Sequence, residues 1–258
     1  MKIGFIGSGQ ITKAVVEGIL NSKLRINKIY ISKRNIKISQ NLKRKSKKII
    51  ISQDNQFIID KSNWIFLAIT PDVGNKILKK LKFKSSKLII SFISTINLTQ
   101  LKNITGLKKN IIRAIPLPPI ALCKGPIPIY PPNIKVKKFF NNLGSTIEIN
   151  NEKLSLNFWT TSAMMAPFYE LLFSLSNWLI KKGIKKENAQ KYISSLFLAL
   201  SEDAFKHKTN LKKLVKESQT PGGLNEQAVK DLRKAGFYRL LEITSNRIIK
   251  RLNKSQSN

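Results

Sequence analysis

Short apolar runs recur through the first part of the chain, at residues 2–6, 28–32, 49–52, 64–70, 88–93 and 111–115. Each has the length of a strand, and its nearly unbroken apolar character suits burial on both faces. Between them, residues 15–22, 36–45, 74–81 and 98–105 place apolar positions three and four apart, which predicts helices. Strand and helix in alternation predict an α/β fold, a doubly wound parallel sheet covered by helices on both sides. Pro116, Pro118, Pro119, Pro126, Pro128, Pro131 and Pro132 then rule out a regular helix and predict an extended loop or edge segment. A last strand at 145–149 closes a first domain, residues 1–150.

Residues 154–179, 186–205 and 225–249 keep the helical spacing with almost no strand signal, so 151–258 reads as an all-α domain. Ser218, Gln219, Thr220, Pro221, Gly222 and Gly223 interrupt it. The apolar faces at 168–178 and 193–200 exceed what a small helical unit can bury and predict an interface between copies of the chain. The tail 253–258 reads as disordered.

The first strand ends in Gly7, Ser8 and Gly9, followed by Gln10, Ile11 and Thr12 and then by helical spacing. Gly7 permits the tight strand-to-helix turn, and Gly9, without a Cβ, lets a pyrophosphate approach the backbone and the free N–H groups of a helix N-terminus. Thr12 stands where this fingerprint usually has Gly or Ala. After the second strand come Ser32, Lys33, Arg34 and Asn35 in place of the acidic residue that binds a ribose 2′-hydroxyl. Two cations there suit a 2′-phosphate, which favours NADPH and leaves NADH as the alternative.

The formal charge of +33 produces a field that attracts any polyanion. Lysine is scattered along the chain and arginine, the better base and phosphate reader, is scarce, so no specific nucleic-acid partner is expected. The densest cluster, from Lys43 to Lys48, reads as a solvated helix end. One cysteine, Cys123, and one histidine, His207, are too few for a Cys/His metal site, and Cys123 reads as a small core residue. No apolar run is long enough for a membrane span and the first residues read as a strand rather than a leader, so the expected setting is the cytoplasm.

Phe66, Leu67, Ala68, Ile69, Thr70 and Pro71, then Ile112, Arg113, Ala114, Ile115 and Pro116, then Thr220, Pro221, Gly222 and Gly223 follow the nucleotide turn in fixed order. With that turn they make the chain resemble the pyrroline-5-carboxylate reductase family over nearly its full length. The resemblance implies an N-terminal Rossmann domain that binds NAD(P), a helical dimerisation domain, and reduction of a small cyclic imine, 1-pyrroline-5-carboxylate, in proline biosynthesis. It implies cofactor contacts at Gly7, Ser8, Gly9, Gln10, Ile11, Thr12, Ser32, Lys33, Arg34, Asn35, Asn55, Ala68, Thr70 and Pro71, and substrate contacts at Gly222, Gly223, Leu224 and Asn225.

The chain departs from that family at several places. Thr70 replaces a lysine, Leu117 and Pro118 replace an asparagine and a threonine, Ser94 and Thr95 stand for Ala-Gly, Met164, Met165, Ala166 and Pro167 stand for Gly-Ser-Gly-Pro, and Leu224 and Asn225 replace two threonines. Backbone N–H groups of Gly222 and Gly223 remain as donors to a carboxylate, and Asn225 can add its amide. No catalytic residue stands out. A protonated imine is already electrophilic and needs alignment more than acid catalysis, and Ser94, Thr95, Thr161 and Ser162 read as caps or buried hydrogen-bond partners. Glu202 and Asp203, being adjacent, face different sides of a helix. Two other functions stay open: a reductase of the same build for another imine or keto acid, and a non-catalytic nucleotide-binding protein.

Overall fold

The computed structural model describes residues 1–207 and 210–257. The first part runs β1 (Lys2–Ile6), α1 (Gln10–Asn21), β2 (Lys28–Ser32), α2 (Ile36–Lys45), β3 (Ile49–Ser52), α3 (Asn55–Lys61), β4 (Trp64–Leu67), α4 (Pro71–Leu78), β5 (Leu88–Ser91), α5 (Leu98–Thr105) and β6 (Ile111–Ala114). A 3-10 turn at Pro118–Leu122 then leads to β7 (Pro126–Tyr130), α6 (Ile134–Phe140) and β8 (Ser145–Glu148). The strands form one sheet in the order β3-β2-β1-β4-β5-β6-β7-β8. Chain order reverses beside β1, which pairs in parallel with both β2 and β4.

Both faces of the sheet are dry because alternate strand residues enter two different cores. Ile3 and Phe5 of β1 join Val15, Ile19, Phe66 and Phe140 on one side, while Ile6 joins Ile58, Ile65 and Leu101 on the other. Phe5 stacks on Phe66 with ring centroids 4.6 Å apart. Polar residues set the helix starts: Asn35 accepts from the N–H of Ile38, Asp54 from that of Gln56, and Asn97 and Gln100 form a reciprocal capping box. Gly106, at φ +69°, ends α5.

The prolines from 116 to 132 do not keep that stretch out of the sheet. It supplies β7, which runs antiparallel to β6 and parallel to β8, so the sheet is mostly rather than wholly parallel. The carbonyl of Pro128 accepts from Ile115 N–H, and that of Ile129 accepts from Ile149 N–H. Because backbone groups alternate sides along a strand, Pro126 and Pro128 turn their missing donors toward β6, where the β6–β7 pairing spans only Tyr130 and Ile129.

The remaining elements are helices: α7 (Glu152–Ser162), α8 (Met165–Lys181), α9 (Lys186–His207), α10 (Leu211–Glu217), α11 (Leu224–Lys234) and α12 (Phe237–Ser257). Residues 154–179, expected as one periodic stretch, break between α7 and α8, and Pro167 sits in the first turn of α8, where a missing N–H is tolerated. Gly236, at φ +76°, separates α11 from α12. The tail expected to be disordered continues α12 as far as Ser257, with Lys254 in the last turn, where a cation favours the helix dipole; Asn258 lies outside the described residues. Two compact units result, Met1–Thr160 with Ile249–Asn258, and Thr161–Ile248. Among the described residues, no helix is long and apolar enough to cross a membrane.

Candidate functional site

β1 delivers its chain into the turn at Gly7, whose φ is +112° and where an added Cβ would lie 2.2 Å from the carbonyl oxygen of Ala68. Only glycine avoids both the strain and the clash. Gly9 differs, because a Cβ built on it meets nothing within 4 Å. Nothing in the chain demands glycine there, so what its bare backbone keeps clear is room for a guest. Gly9 is also the N-cap of α1 with no side-chain cap, and the first turn of α1 carries no acidic residue. The helix thus presents unengaged N–H groups and the positive end of its dipole to that open space.

Thr12 explains the imperfect fingerprint. It is fully buried and its hydroxyl donates to the carbonyl of Gly7 at 3.0 Å, tying helix to turn. A second brace comes from β2: Ser32 Oγ accepts the N–H of Gly7 at 3.0 Å and lies 3.1 Å from Phe5 O and 2.8 Å from Asn55 Oδ1. Ser8 Oγ accepts the N–H of Asn35 at 2.7 Å, so the turn after β1 is fastened to the turn after β2.

Two cavities open over these turns. One, of about 360 Å³, is lined by Gly7, Ser32, Lys33, Arg34, Asn55 and also by Ile6, Ile36, Gln53, Ile69 and Ile77. The other, of about 490 Å³, is lined by Gly7, Ser8, Gly9, Arg34, Asn35, Ile36, Ala68, Ile69 and Thr70. They share Gly7, Arg34, Ile36 and Ile69, and together lie over the carboxyl ends of β1, β2 and β4, where the strand order reverses. That is where open α/β sheets bind ligands.

Of the expected cofactor residues, Gly7, Ser8, Gly9, Ser32, Lys33, Arg34, Asn35, Asn55, Ala68 and Thr70 line these cavities, whereas Gln10, Ile11, Thr12 and Pro71 line neither. Lys33 and Arg34 are exposed on the rim, Asn35 turns its side-chain oxygen to cap α2, and Thr70 caps α4 without a side-chain bond. Gln10 is exposed at the start of α1, Ile11 packs against the core, and Pro71 opens α4, its side chain lying outside the described residues. The isoleucines of the trough escaped sequence reasoning, since an isoleucine in a helix reads as core. Ile36, 52% exposed beside Arg34, breaks that rule.

The loop before α11 is less open than expected. Gly222 N–H donates to Oε2 of Glu226 at 2.8 Å, Gly223 N–H donates to Thr220 O at 2.8 Å, and Asn225 Nδ2–H donates to Ser218 O at 2.9 Å. All three donors assigned to a substrate carboxylate are thus engaged within the chain, and Leu224 is 84% exposed. Glu226 also pairs with Lys230 at 2.9 Å, and that contact, followed by the Gly222 N–H, holds its carboxyl below the usual carboxylate range.

An ion pair beyond β5, buried on its arginine side, joins residues that nothing in the sequence pairs. Arg113 of β6, 1% exposed, meets Glu152 at 2.7 Å and the carbonyl of Ser94 at 2.8 Å. Burial lowers its proton affinity, against the opposing pull of Glu152. Thr95 follows Ser94 in this loop, Thr161 and Ser162 end α7, and Glu202 pairs with Lys206 on α9. Cys123 caps the 3-10 turn and packs against the core, its Sγ 3.5 Å from Gly18 O. In the basic cluster, Lys43 Nζ donates to Ile49 O and Lys45 pairs with Glu17.

Residues 2–95 match the family described as NADP oxidoreductase, coenzyme F420-dependent, and residues 153–255 match the family described as pyrroline-5-carboxylate reductase dimerisation. The chain is 26% identical to pyrroline-5-carboxylate reductase 3 of Danio rerio, over 92% of this chain and 85% of that protein. Its fold is similar to that of a Plasmodium falciparum pyrroline carboxylate reductase with NADP bound (TM-score 0.85, 22% identity, 99% of this chain and 98% of that one). It is likewise similar to a 1-pyrroline-5-carboxylate reductase from Streptococcus pyogenes (TM-score 0.84, 21% identity, 100% and 99% covered).

Proposed function

We propose that the chain is a member of the pyrroline-5-carboxylate reductase family, whose dimerisation model its residues 153–255 match, and that it reduces 1-pyrroline-5-carboxylate to L-proline with NADPH. The observation that carries this reading is the bare N-terminus of α1 facing the open space before Gly9, with Arg34 on the rim of the same trough. Gly7, Ser8, Gly9 and the first N–H groups of α1 receive the pyrophosphate. Lys33 and Arg34 receive the 2′-phosphate, and Ile36 and Ile77 offer apolar faces to the adenine. When bound, the reduced nicotinamide supplies a hydride to the imine carbon, and the imine nitrogen brings its proton from solvent.

The chain has little proton chemistry to perform, which suits a site without histidine. Its task is to hold two partners in register and keep water away. The loop of Gly222, Gly223, Leu224 and Asn225 is assigned to the substrate carboxylate, which there exchanges with the Glu226 carboxylate on Gly222 N–H. The exposed helical faces are assigned to a homodimer. The setting is assigned to the cytoplasm.

A second reading, reduction of a different imine or a keto acid, draws on that same loop, because Leu224 cannot donate and Glu226 supplies a competing charge. Loss of NADPH absorbance, followed with pyrroline-5-carboxylate and a panel of carboxylate-free cyclic imines, decides between them. Turnover of pyrroline-5-carboxylate with proline as product supports the first reading; turnover of the panel alone overturns it.

A further inference from the structure

Arg113 is, by volume, the largest fully buried side chain among the described residues, set in β6 between Ser91 of β5 and Tyr130 of β7. An aliphatic side chain would fill that place at lower cost in desolvation. The guanidinium makes two specific bonds: Nη1–H to Glu152 Oε1 at 2.7 Å and Nη2–H to the carbonyl of Ser94 at 2.8 Å. Its Nε–H is buried with no hydrogen-bond partner among the described residues, so this arginine is not there to satisfy itself.

The same Glu152 oxygen accepts the N–H of Leu98 at 2.7 Å, the first residue of α5. One ion pair therefore grips the stretch from Ser94 to Leu98 at its two ends, Ser94 through its carbonyl and Leu98 through its amide. These residues follow the carboxyl end of β5. In the strand order β3-β2-β1-β4-β5, Arg34 marks the β2 side of the crevice and α1 the phosphates at β1. A dinucleotide laid across the crevice reaches β4 and β5 with its other ring. Thr95 sits inside the gripped segment, its Oγ1 buried and without a partner among the described residues.

We propose that Arg113, held by Glu152, is a positioning residue for the nicotinamide half of the cofactor, fixing residues 94–98 as the wall on that side. The proposal rests on the cofactor assignment above. It concerns one half of the ligand only: the adenosine half lies over β2, away from the gripped loop.

The test titrates the full-length protein with NADPH and, separately, with 2′,5′-ADP, which keeps the adenosine and 2′-phosphate but lacks the nicotinamide. Arg113→Lys keeps the charge and cannot reach both partners. Glu152→Gln keeps an oxygen acceptor, lies at a partly exposed position, and decides the matter if the lysine variant does not fold. In either variant the Kd of NADPH is expected to rise roughly 10-fold, as for loss of a hydrogen bond to a charged group, with that of 2′,5′-ADP held within about 2-fold. The emission of bound NADPH shifts accordingly, and kcat falls more than the KM for the imine rises. Equal weakening of both ligands, or of neither, overturns the proposal. Wild-type protein that binds no NADPH instead overturns the cofactor assignment and this inference with it.

Discussion

In the sheet unit Ile3, Phe5, Ile31, Ile65 and Phe66 are fully buried, whereas in the helical unit Phe173, Trp178, Tyr192 and Leu198 are each more than half exposed. Ala189 and Ile193 are the buried apolar residues of that unit among the described ones. The first region completes its core within one chain because βαβ crossovers lay helices on both faces of the sheet. The second is long apolar helices with exposed faces, whose burial on association would be worth about 1.5–3 kcal/mol for each large side chain. On the proposed function, affinity for the cofactor belongs to the first region and self-association to the second, so the two can be broken separately.

The sharpest separation is at the two glycines of the nucleotide turn. Gly9→Leu is expected to weaken NADPH binding by roughly 100-fold or more, because it fills the approach to the α1 N-terminus. The thermal midpoint stays put, since a side chain at Gly9 begins in open space. Gly7→Ala reverses the pattern by costing about 2–4 kcal/mol in stability through its positive φ and the Ala68 carbonyl, as a denaturant midpoint measures. Next in size, Trp178→Glu places a charge on the exposed face of α8 and is expected to weaken self-association by roughly 100-fold, with the NADPH affinity of the sheet unit retained. Sedimentation and titration of the same sample check both halves of that statement.

Arg34→Ala is expected to raise the KM for NADPH about 10- to 100-fold and to leave that for NADH within about 2-fold, which matches loss of charge-assisted bonds to a 2′-phosphate. Equal effects on both coenzymes would remove the assignment. The smallest effect belongs to Glu226. Its carboxyl is held below its ordinary range by Lys230 and then by Gly222 N–H, so its contribution is complete above about pH 4.3 and is lost as pH falls through the depressed folded-state value. Glu226→Gln should therefore flatten the acid limb of an unfolding-midpoint profile taken between about pH 3 and 6, with no change near neutrality.

The sequence made the cofactor half readable because its signals are local. Helices α2 and α5 fall at the residues their periodicity predicts, and the turn at Gly7 stands between strand and helix as the motif requires. Helix α3 carries too short a run to show a period, and only Asp54, its cap, announces it. Strand β7 was hidden by prolines whose missing donors fall on one side, a fact of pairing that a linear reading cannot contain. Arg113 with Glu152, and Glu226 with Gly222, are the same kind of omission. Thirty-nine residues separate the first pair, and in the second a glutamate four residues away takes a donor that looked free.

The hydroxyl of Thr12 on the Gly7 carbonyl, together with the Ser32 and Ser8 contacts, braces the turn proposed for the pyrophosphate with no nucleotide needed. Such preorganisation makes capture a docking event rather than a folding one. With +33 charges on the chain, the encounter rate then becomes a property of ionic strength, fast in dilute buffer and slowed by added salt, while the geometry of the seat stays the same.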